Sequence, residues 1–344
     1  MKTTILLLCS TAITFSSFSQ IVSFHTRDSF SIEQLDEFYS SFNIKDDLLV
    51  VSASDYKLHA YDKSTGEKKW TYDIRYKSDL PPQFVGDGIW ATTNEGAVEI
   101  DIKTGKRRKA LPISSLQTKP LLRNQILYGT GIVDGGCVFA YDLLADTIIW
   151  KRFIAHGSSR QPYYLEDRIM ANAEGDKWIE LNYDGSFFAK GCDDEEVHFP
   201  SELPCARSFE ALTHDEREIS GYLGEAFSGF SFRIPAVAHH RGQTFIFHDG
   251  QLTLFGNKLK KQFSIQLEKS TGYDNTYPQQ ILTVHGNAVW ILYSKQLFEF
   301  DYVKKKLLRT IDLSVYQPHQ VRMEEKRIYV LSGKDGRIWA LGRD

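Results

Sequence analysis

The chain is poor in cysteine, and none of its cysteines lies in a metal-binding or redox spacing. Only 4 of the 344 residues are cysteine, and no C-x-x-C motif occurs. This excludes a dense disulfide framework and the zinc or redox sites that such a motif builds. Histidine offers no substitute, because the adjacent His239 and His240 would point to opposite faces of a strand. The sequence therefore predicts no metal site and indicates no catalytic residue.

Long apolar segments are also scarce, and the most apolar one lies at the N-terminus. The stretch MKTTILLLCSTAITFSSFSQ has a basic Lys2, an apolar run from Ile5 to Ile13 and small residues up to Ser19. This layout is typical of a secretory signal peptide cleaved after Ser19. No later run approaches the roughly 18 apolar residues of a membrane-spanning helix. We therefore expect residues 1–19 to be removed and residues 20–344 to form one periplasmic or secreted domain with no membrane span.

Positively and negatively charged residues are nearly equal in number. Lys and Arg number 41 against 44 Asp and Glu, a net charge of −3. The basic clusters at 106–109, 258–261 and 304–306 fall on or just after predicted hairpin tips, where charged edges discourage aggregation. Such a chain has no electrostatic footprint for nucleic acid or an anionic membrane. We expect neither as a partner.

Three cysteines remain after removal of the signal peptide. Cys192 and Cys205 could close a disulfide loop in an oxidising compartment, but the sequence leaves both the bonded and the reduced state open. Cys137 lies in an apolar strand pattern, which favours a buried thiol.

The prolines reveal an internal repeat. Seven of the ten recur every 35 to 43 residues, at Pro82, Pro120, Pro162, Pro200, Pro235, Pro278 and Pro318. Most are followed by an alternating strand, a tight turn, a second strand that ends in Asp, another turn and a third strand. Period-two alternation and aromatic enrichment predict strands rather than helices.

A unit of about 40 residues with four short strands is typical of a β-propeller blade. The sequence therefore predicts an all-β, eight-bladed propeller of four-stranded antiparallel blades that start near residues 42, 82, 120, 162, 200, 235, 278 and 318. The last unit has room for three strands, and Ile21–Arg27 is expected to add the fourth and close the ring. The segment from Cys192 to Ile234 lacks the repeat marks. It is either a degenerate fifth blade or an insertion on a seven-bladed ring.

The repeated residues are suited to architecture rather than catalysis. In AYDKSTGEKKW, the Asp62 carboxylate can accept backbone N–H groups of the turn, and Gly66 can adopt a left-handed conformation. Trp70 is large enough to fill the gap between blades, with its indole N–H bonded to a carbonyl. The same structural roles are predicted for Asp101, Gly105, Asp142, Trp150 and Asp301.

These motifs resemble a known repeat. LHAYDKSTGEKKW, with YGTGIVDGGCVFAYD and LSGKDGRIWALG, resembles the PQQ-like β-propeller repeat of quinoprotein alcohol dehydrogenases and their non-enzymatic relatives. The resemblance extends over most of Leu48 to Gly342 and is weak between Cys192 and Ile234. It implies that Trp70 and Trp150 dock between blades.

The two branches of that family differ in their chemistry. The dehydrogenase branch holds pyrroloquinoline quinone (PQQ) and calcium above a disulfide of adjacent cysteines. This chain has no adjacent cysteines, and no calcium ligand of the family can be matched to it. In size and compartment it resembles the non-enzymatic, BamB-like branch. We therefore expect no cofactor, neither PQQ nor calcium.

The favoured function is an exported, monomeric, non-catalytic scaffold of the cell envelope that binds a protein partner, including the possibility of an immunity or inhibitor protein. The alternative is an envelope enzyme or carbohydrate-binding protein that uses the central funnel.

A propeller has two faces that carry its loops. The turns between second and third strands and the links between blades form one face, here named the loop face. The hairpins between third and fourth strands form the opposite face, here named the hairpin face. Recognition is usually placed on such loops. The loop face is predicted to gather 55–57, 94–96, 134–136, 156–160, 272–277 and 334–336. Aromatic residues and Arg dominate binding energy in interfaces, which predicts Arg160, Tyr273 and Tyr277 as binding residues.

Overall fold

The computed structural model describes residues 20–25, 40–76, 80–132, 136–155, 162–172, 178–188, 236–248, 250–256, 260–267 and 281–342. These ranges contain β-strands, their connections and one short 3-10 helix, Ser314–Tyr316. Within them, no helix has the length and apolar character needed to cross a membrane.

The strands form antiparallel sheets that follow one another along the chain, and each sheet is named a blade. Blade 1 contains β2 (Ser41–Lys45), β3 (Leu48–Ser52), β4 (Lys57–Asp62) and β5 (Lys68–Asp73). Blade 2 contains β6 (Gln83–Val85), β7 (Gly88–Thr93), β8 (Gly96–Asp101) and β9 (Arg107–Ala110). Blade 3 contains β10 (Ser115–Leu116), β11 (Leu121–Arg123), β12 (Ile126–Ile132), β13 (Gly136–Asp142) and β14 (Thr147–Ala155).

The remaining blades follow the same order. Blade 4 contains β15 (Tyr163–Tyr164), β16 (Arg168–Asn172) and β17 (Trp178–Asn182). Blade 5 contains β18 (Ala236–His240), β19 (Gln243–His248), β20 (Gln251–Phe255) and β21 (Lys261–Gln266). Blade 6 contains β22 (Ile281–His285), β23 (Ala288–Tyr293), β24 (Gln296–Asp301) and β25 (Lys306–Asp312). Blade 7 contains β26 (Pro318–Met323), β27 (Arg327–Ser332), β28 (Arg337–Gly342) and β1 (Gln20–His25).

The all-β propeller class is confirmed, but the predicted number of blades is corrected. The described residues form seven sheets rather than eight, in agreement with the seven-bladed alternative. The unit that the sequence placed at Pro200 lies in residues 189–235, outside the described residues. Proline spacing was the ground for predicting a unit there, since that stretch has strand-like pieces but lacks the Tyr-Asp and Thr-Gly marks of the other units. Within the described residues, blade 4 has three strands and blade 3 has five, rather than the predicted four.

The first strand of each blade lies innermost. Strand β2 contacts β26, and β22 contacts both β18 and β26, so the first strands of neighbouring blades approach one another around the axis. In the inner half of a blade both faces are buried, because a neighbouring blade covers each face; β3, the second strand of blade 1, is buried at four of its five positions. The outer strands, such as β21, are largely exposed. The core therefore lies between the blades.

Contacts on the outer and on the inner side of the sheets join the ends of the ring. Strand β1 pairs antiparallel with β28, from Gln20 opposite Leu341 to His25 opposite Arg337, and adds the outer strand of blade 7. On the inner side, the Gln320 amide accepts the Phe42 N–H and donates to the Phe42 carbonyl, both at 2.8 Å. Gln320 and Phe42 are fully buried. Closure therefore combines a shared sheet outside with a two-point amide contact inside.

Candidate functional site

The repeated aspartates lie at the start of third-to-fourth-strand hairpins and shape them. The Asp62 Oδ1 accepts the N–H groups of Ser64 at 2.9 Å and Thr65 at 3.0 Å. Asp101, Asp142 and Asp301 accept the equivalent two N–H groups in blades 2, 3 and 6. The N–H groups of Thr65 and Ser64 hold the pKa of Asp62 below its ordinary value. Hydrogen bonding with Arg108, and then with Thr104, does the same to the pKa of Asp101. These carboxylates therefore stabilise the turns in which they lie.

The two predicted docking tryptophans lie between blades. Trp70 of blade 1 donates its indole N–H to the Ile102 carbonyl of blade 2 at 2.9 Å. Trp150 of blade 3 donates to the Tyr183 carbonyl of blade 4 at 3.1 Å. Each indole packs on a glycine of the next blade, and each glycine has a positive φ: Gly105 (φ +67°) under Trp70 and Gly185 (φ +88°) under Trp150. Gly66, in the corresponding turn of blade 1, has φ +76°.

Blades 2 and 6 have a positively charged residue at the position of the docking tryptophan, which the sequence did not lead us to expect. Lys109 and Arg309 follow Asp101 and Asp301 by the spacing that separates Asp62 from Trp70. The Lys109 ammonium donates to the Tyr141 hydroxyl of blade 3 at 3.2 Å. The Arg309 guanidinium donates to Glu299 at 2.6 Å and lies over the Trp290 ring at 5.3 Å. Alignment by spacing from the Asp would have found both.

The predicted binding residues Arg160, Tyr273 and Tyr277 lie outside the described residues, as do Cys192 and Cys205. Cys137, expected to be buried, is fully buried in β13.

On the loop face the structure brings together three residues that we name the tyrosine patch: Tyr56, Arg75 and Tyr76. Tyr56 lies in the turn between β3 and β4, and Arg75 and Tyr76 follow β5. The two segments are joined because the N–H groups of Ile74 and Arg75 donate to the Tyr56 carbonyl at 3.1 and 3.2 Å. Tyr56 is 37% exposed and Tyr76 is 43% exposed. Sequence reasoning placed Tyr56 on the loop face but had no signal for its neighbour beyond β5.

Backbone conformation at the patch is unusual. Tyr56 has φ +62° and Arg75 has φ +49°, in the left-handed region that non-glycine residues rarely adopt and that costs of order 1 kcal/mol or more each. Local bonds hold the turn in place: the Tyr56 N–H donates to the Ala53 carbonyl at 3.2 Å, and the Lys57 N–H to Asp55 Oδ1 at 3.2 Å.

A buried histidine supports the Asp55 carboxylate. The His59 Nε2 lies 3.0 Å from Asp55 Oδ2, and its Nδ1 lies 3.1 Å from the Thr71 hydroxyl. The His59 and Asp55 side chains are 8% and 10% exposed. Burial by itself would raise the pKa of Asp55, but hydrogen bonding with His59 and the charges of His59 and Lys57 outweigh it and hold that pKa below its ordinary value. The network fixes the turn that presents Tyr56.

We expect Asp55→Asn to lower the free energy of unfolding by about 1–2 kcal/mol at pH 7, because a buried charge-assisted hydrogen bond is weakened. A carboxylate whose folded pKa is depressed stabilises the fold above its unfolded pKa, near 3.8, and loses that contribution as pH falls through the folded value. The difference between wild type and variant should therefore shrink in urea titrations at pH 3. The control Asp47→Asn, at an exposed turn of the same blade, should change stability little at either pH. A difference that stays constant with pH would contradict this role for Asp55.

A small apolar recess adjoins the patch between blades 1 and 2. Its lining includes Leu58, Ile74, Leu80, Pro82 and Trp90. Ile74 links recess and patch, since its N–H bonds to the Tyr56 carbonyl and its own carbonyl accepts the Asn94 N–H at 3.3 Å. Exposed tyrosines and an arginine beside an apolar recess are what the energetic centre of a protein interface contains.

A ring of antiparallel sheets with the first strand of each innermost, closed by an N-terminal strand, defines the chain as a β-propeller. The model of a family described as outer membrane protein assembly factor BamB matches residues 30–148. The resemblance to the PQQ-like repeat is thereby confirmed over that part of the chain.

Solved structures with similar folds have little sequence identity to this chain. BamB from Moraxella catarrhalis is 13% identical, with a TM-score of 0.48 over 89% of this chain and 82% of that one. The computationally designed Ika8 protein is 12% identical, with a TM-score of 0.52 over 88% and 95%. The AfRom2 CNH domain is 8% identical, with a TM-score of 0.51 over 94% and 99%. At such identities the latter two show the fold alone. No curated protein matches the chain significantly.

Proposed function

We propose that the protein is an exported, non-catalytic propeller that binds a protein partner through its loop face, with the tyrosine patch at the centre of the interface. The observation that carries the proposal is the patch itself: two exposed tyrosines and an arginine lie together on the loop face, Tyr56 and Arg75 have left-handed backbone, and a buried Asp–His pair stabilises the Tyr56 turn. A rigid aromatic pair loses little conformational entropy on binding, which favours affinity. The match of residues 30–148 to a family described as an assembly factor also supports a scaffold role.

Export is supported by the signal-like residues at the N-terminus. The first described strand begins at Gln20, immediately after the expected cleavage point at Ser19. Cleavage there would leave the whole of the closing strand β1 on the mature chain. The proposed compartment is therefore the periplasm or the exterior. N-terminal sequencing of exported protein would test it, and a mature chain that begins beyond His25 would contradict it.

We also propose that the protein is a monomer and needs neither PQQ nor calcium. A saturable change in absorbance or melting temperature on titration with both would contradict this and favour the alternative of an envelope enzyme. An inhibitor or immunity role is the narrower form of the proposal, in which the patch would cover a partner's active site.

The test is to capture the partner with tagged mature protein from an envelope extract and measure its affinity for purified variants. We expect Tyr76→Ala to weaken binding by about 30-fold, since truncation of an aromatic hot-spot residue costs about 2 kcal/mol or more. Leu144→Ala is the matched control, because Leu144 is 81% exposed in the β13–β14 hairpin, on the hairpin face. Equal losses for both variants, or none for Tyr76→Ala, would place the interface elsewhere.

A further inference from the structure

The hairpin face of blades 5 and 6 has an excess of positive charge. Turns between first and second strands also lie on this face, because neighbouring strands run in opposite directions; in blade 6 the Tyr302 N–H donates to the Asn287 carbonyl at 3.2 Å. The described residues of these turns in the two blades are 240–243, 255–256, 260–261, 285–288 and 301–306. Their exposed cations include Arg241, Lys260, Lys304, Lys305 and Lys306. The only acid among these described residues is Asp301, which is buried and accepts two N–H groups of its own turn.

Contacts between blades 5 and 6 join these cations into one surface. The Arg241 guanidinium donates to the Asn287 side-chain oxygen of blade 6 at 3.4 Å. The Lys305 ammonium lies 5.6 Å from the centre of the Phe263 ring, which belongs to the outer strand of blade 5. The Phe263 ring lies 5.8 Å from the Phe300 ring of blade 6. We name the resulting surface the basic patch: Arg241, Lys260, Lys304, Lys305 and Lys306.

Exposed aliphatic side chains adjoin the basic patch. Val303 is 60% exposed in the β24–β25 hairpin, and Leu307 and Leu308 are 38% and 49% exposed in β25. Both leucines are exposed because β25 has a β-bulge opposite Glu299 and Phe300, where Leu308 is the extra residue. Lysines and apolar side chains therefore lie side by side at this hairpin.

The corresponding turns of blades 1 and 2 have a different charge. They carry several acids, which are Asp46, Asp47, Asp62, Glu67, Asp87 and Asp101. Blades 2 and 3 are each three positions from blade 6 in the order of the described sheets. The nearly balanced charge of the whole chain, from which we expected no anionic membrane as a partner, therefore averages over a face that is strongly basic only at blades 5 and 6.

We propose that the basic patch and the adjoining aliphatic residues bind the surface of an anionic lipid bilayer. Clustered lysines are attracted to anionic headgroups, and apolar side chains beside them enter the boundary between headgroups and acyl chains. The lysines lie against the lipid phosphates, and Val303 and Leu308 insert between the headgroups.

Composition favours lipid over protein as the occupant of this surface. Protein interfaces are enriched in Tyr, Trp and Arg and depleted in Lys. The basic patch has four lysines and one arginine, and its anchoring residues are aliphatic. A lysine ammonium is a point charge on a flexible chain, so it suits mobile headgroups that present no fixed geometry. The tyrosine patch lies on the opposite face, and the lipid proposal does not depend on its partner.

The test is sedimentation of the full mature chain with vesicles of phosphatidylcholine alone and with vesicles in which phosphatidylglycerol replaces about a third of that lipid. We expect binding to the anionic vesicles only, weakened by added sodium chloride. Replacing Lys304 and Lys306 together with Gln should weaken binding by about 30-fold, because each lysine near an anionic surface contributes about a factor of five. The matched control replaces Lys103 and Lys106, two exposed lysines of the blade 2 hairpin, and should leave binding unchanged.

Val303→Ser tests the aliphatic part of the surface. It should weaken binding to the anionic vesicles by about fivefold, because less apolar area is buried in lipid. Leu144→Ser, at the 81% exposed tip of the blade 3 hairpin, should have no effect. Absence of binding, equal binding to both kinds of vesicle, insensitivity to salt or equal losses for the matched variants would overturn the proposal. Binding of polyglutamate without binding of anionic vesicles would also overturn it, by showing that the basic patch recognises an acidic polypeptide.

Discussion

Replacing Gly105 with alanine is expected to lower the free energy of unfolding by about 3 kcal/mol. A Cβ at Gly105 would lie 2.6 Å from the Trp70 ring, far inside van der Waals contact, and the indole is held in place by its bond to Ile102. Overpacking of this kind costs about 1–3 kcal/mol, and a left-handed alanine costs about 1–2 kcal/mol more. The measurement is urea unfolding of the purified mature protein.

Gly86→Ala separates the two causes. Gly86 has a similar φ of +58°, but nothing lies within 4 Å of an added Cβ. We expect this control to cost about 1 kcal/mol, from the left-handed backbone alone. If the two alanine variants were equally stable, the contact between Gly105 and Trp70 would not hold blades 1 and 2 together.

Replacing Gln320 with alanine is expected to cost about 3 kcal/mol as well, through the closure of the ring. The variant leaves the N–H and the carbonyl of Phe42 buried without their partner, at about 1–3 kcal/mol for each unsatisfied group. It also leaves a cavity between blades 1 and 7, where Phe42, Tyr329 and Leu331 pack together. Urea unfolding and the melting temperature should both report the loss.

Gln320→Met keeps most of the side-chain volume and removes only the hydrogen bonds, so it should recover the cavity part of the loss. Gln262→Ala, at an exposed position of blade 5, should be nearly neutral. If Gln320→Met were as stable as wild type, the hydrogen bonds between Gln320 and Phe42 would not contribute to closure, and packing and the β1–β28 pairing would be sufficient.

Much of the architecture could be predicted because it repeats. Asp62, Gly66 and Trp70 act within a few residues of one another or on the adjacent unit, so their chemistry can be interpreted locally and recognised again at Asp101, Gly105, Asp142 and Trp150. The number of blades was predicted less well. Proline spacing alone supported a unit at Pro200, and spacing without alternation does not establish a sheet.

The candidate sites could be predicted only in part. The sequence placed Tyr56 on the loop face but did not indicate its neighbour Tyr76. The segment that contains Tyr76 is held beside Tyr56 by hydrogen bonds from the Ile74 and Arg75 N–H groups to the Tyr56 carbonyl. Nothing in the local sequence marks that approach.

By itself the sequence determined the β-propeller class and its repeated turns, since alternation, turn residues and a period of about 40 residues are properties of neighbouring positions. Only the tertiary structure decided the seven sheets of the described residues, the amide closure between Gln320 and Phe42 and the partners of each exposed side chain. The physical reason is that a ring brings residues from distant units to one axis and one face. Local propensity carries no information about which of them meet.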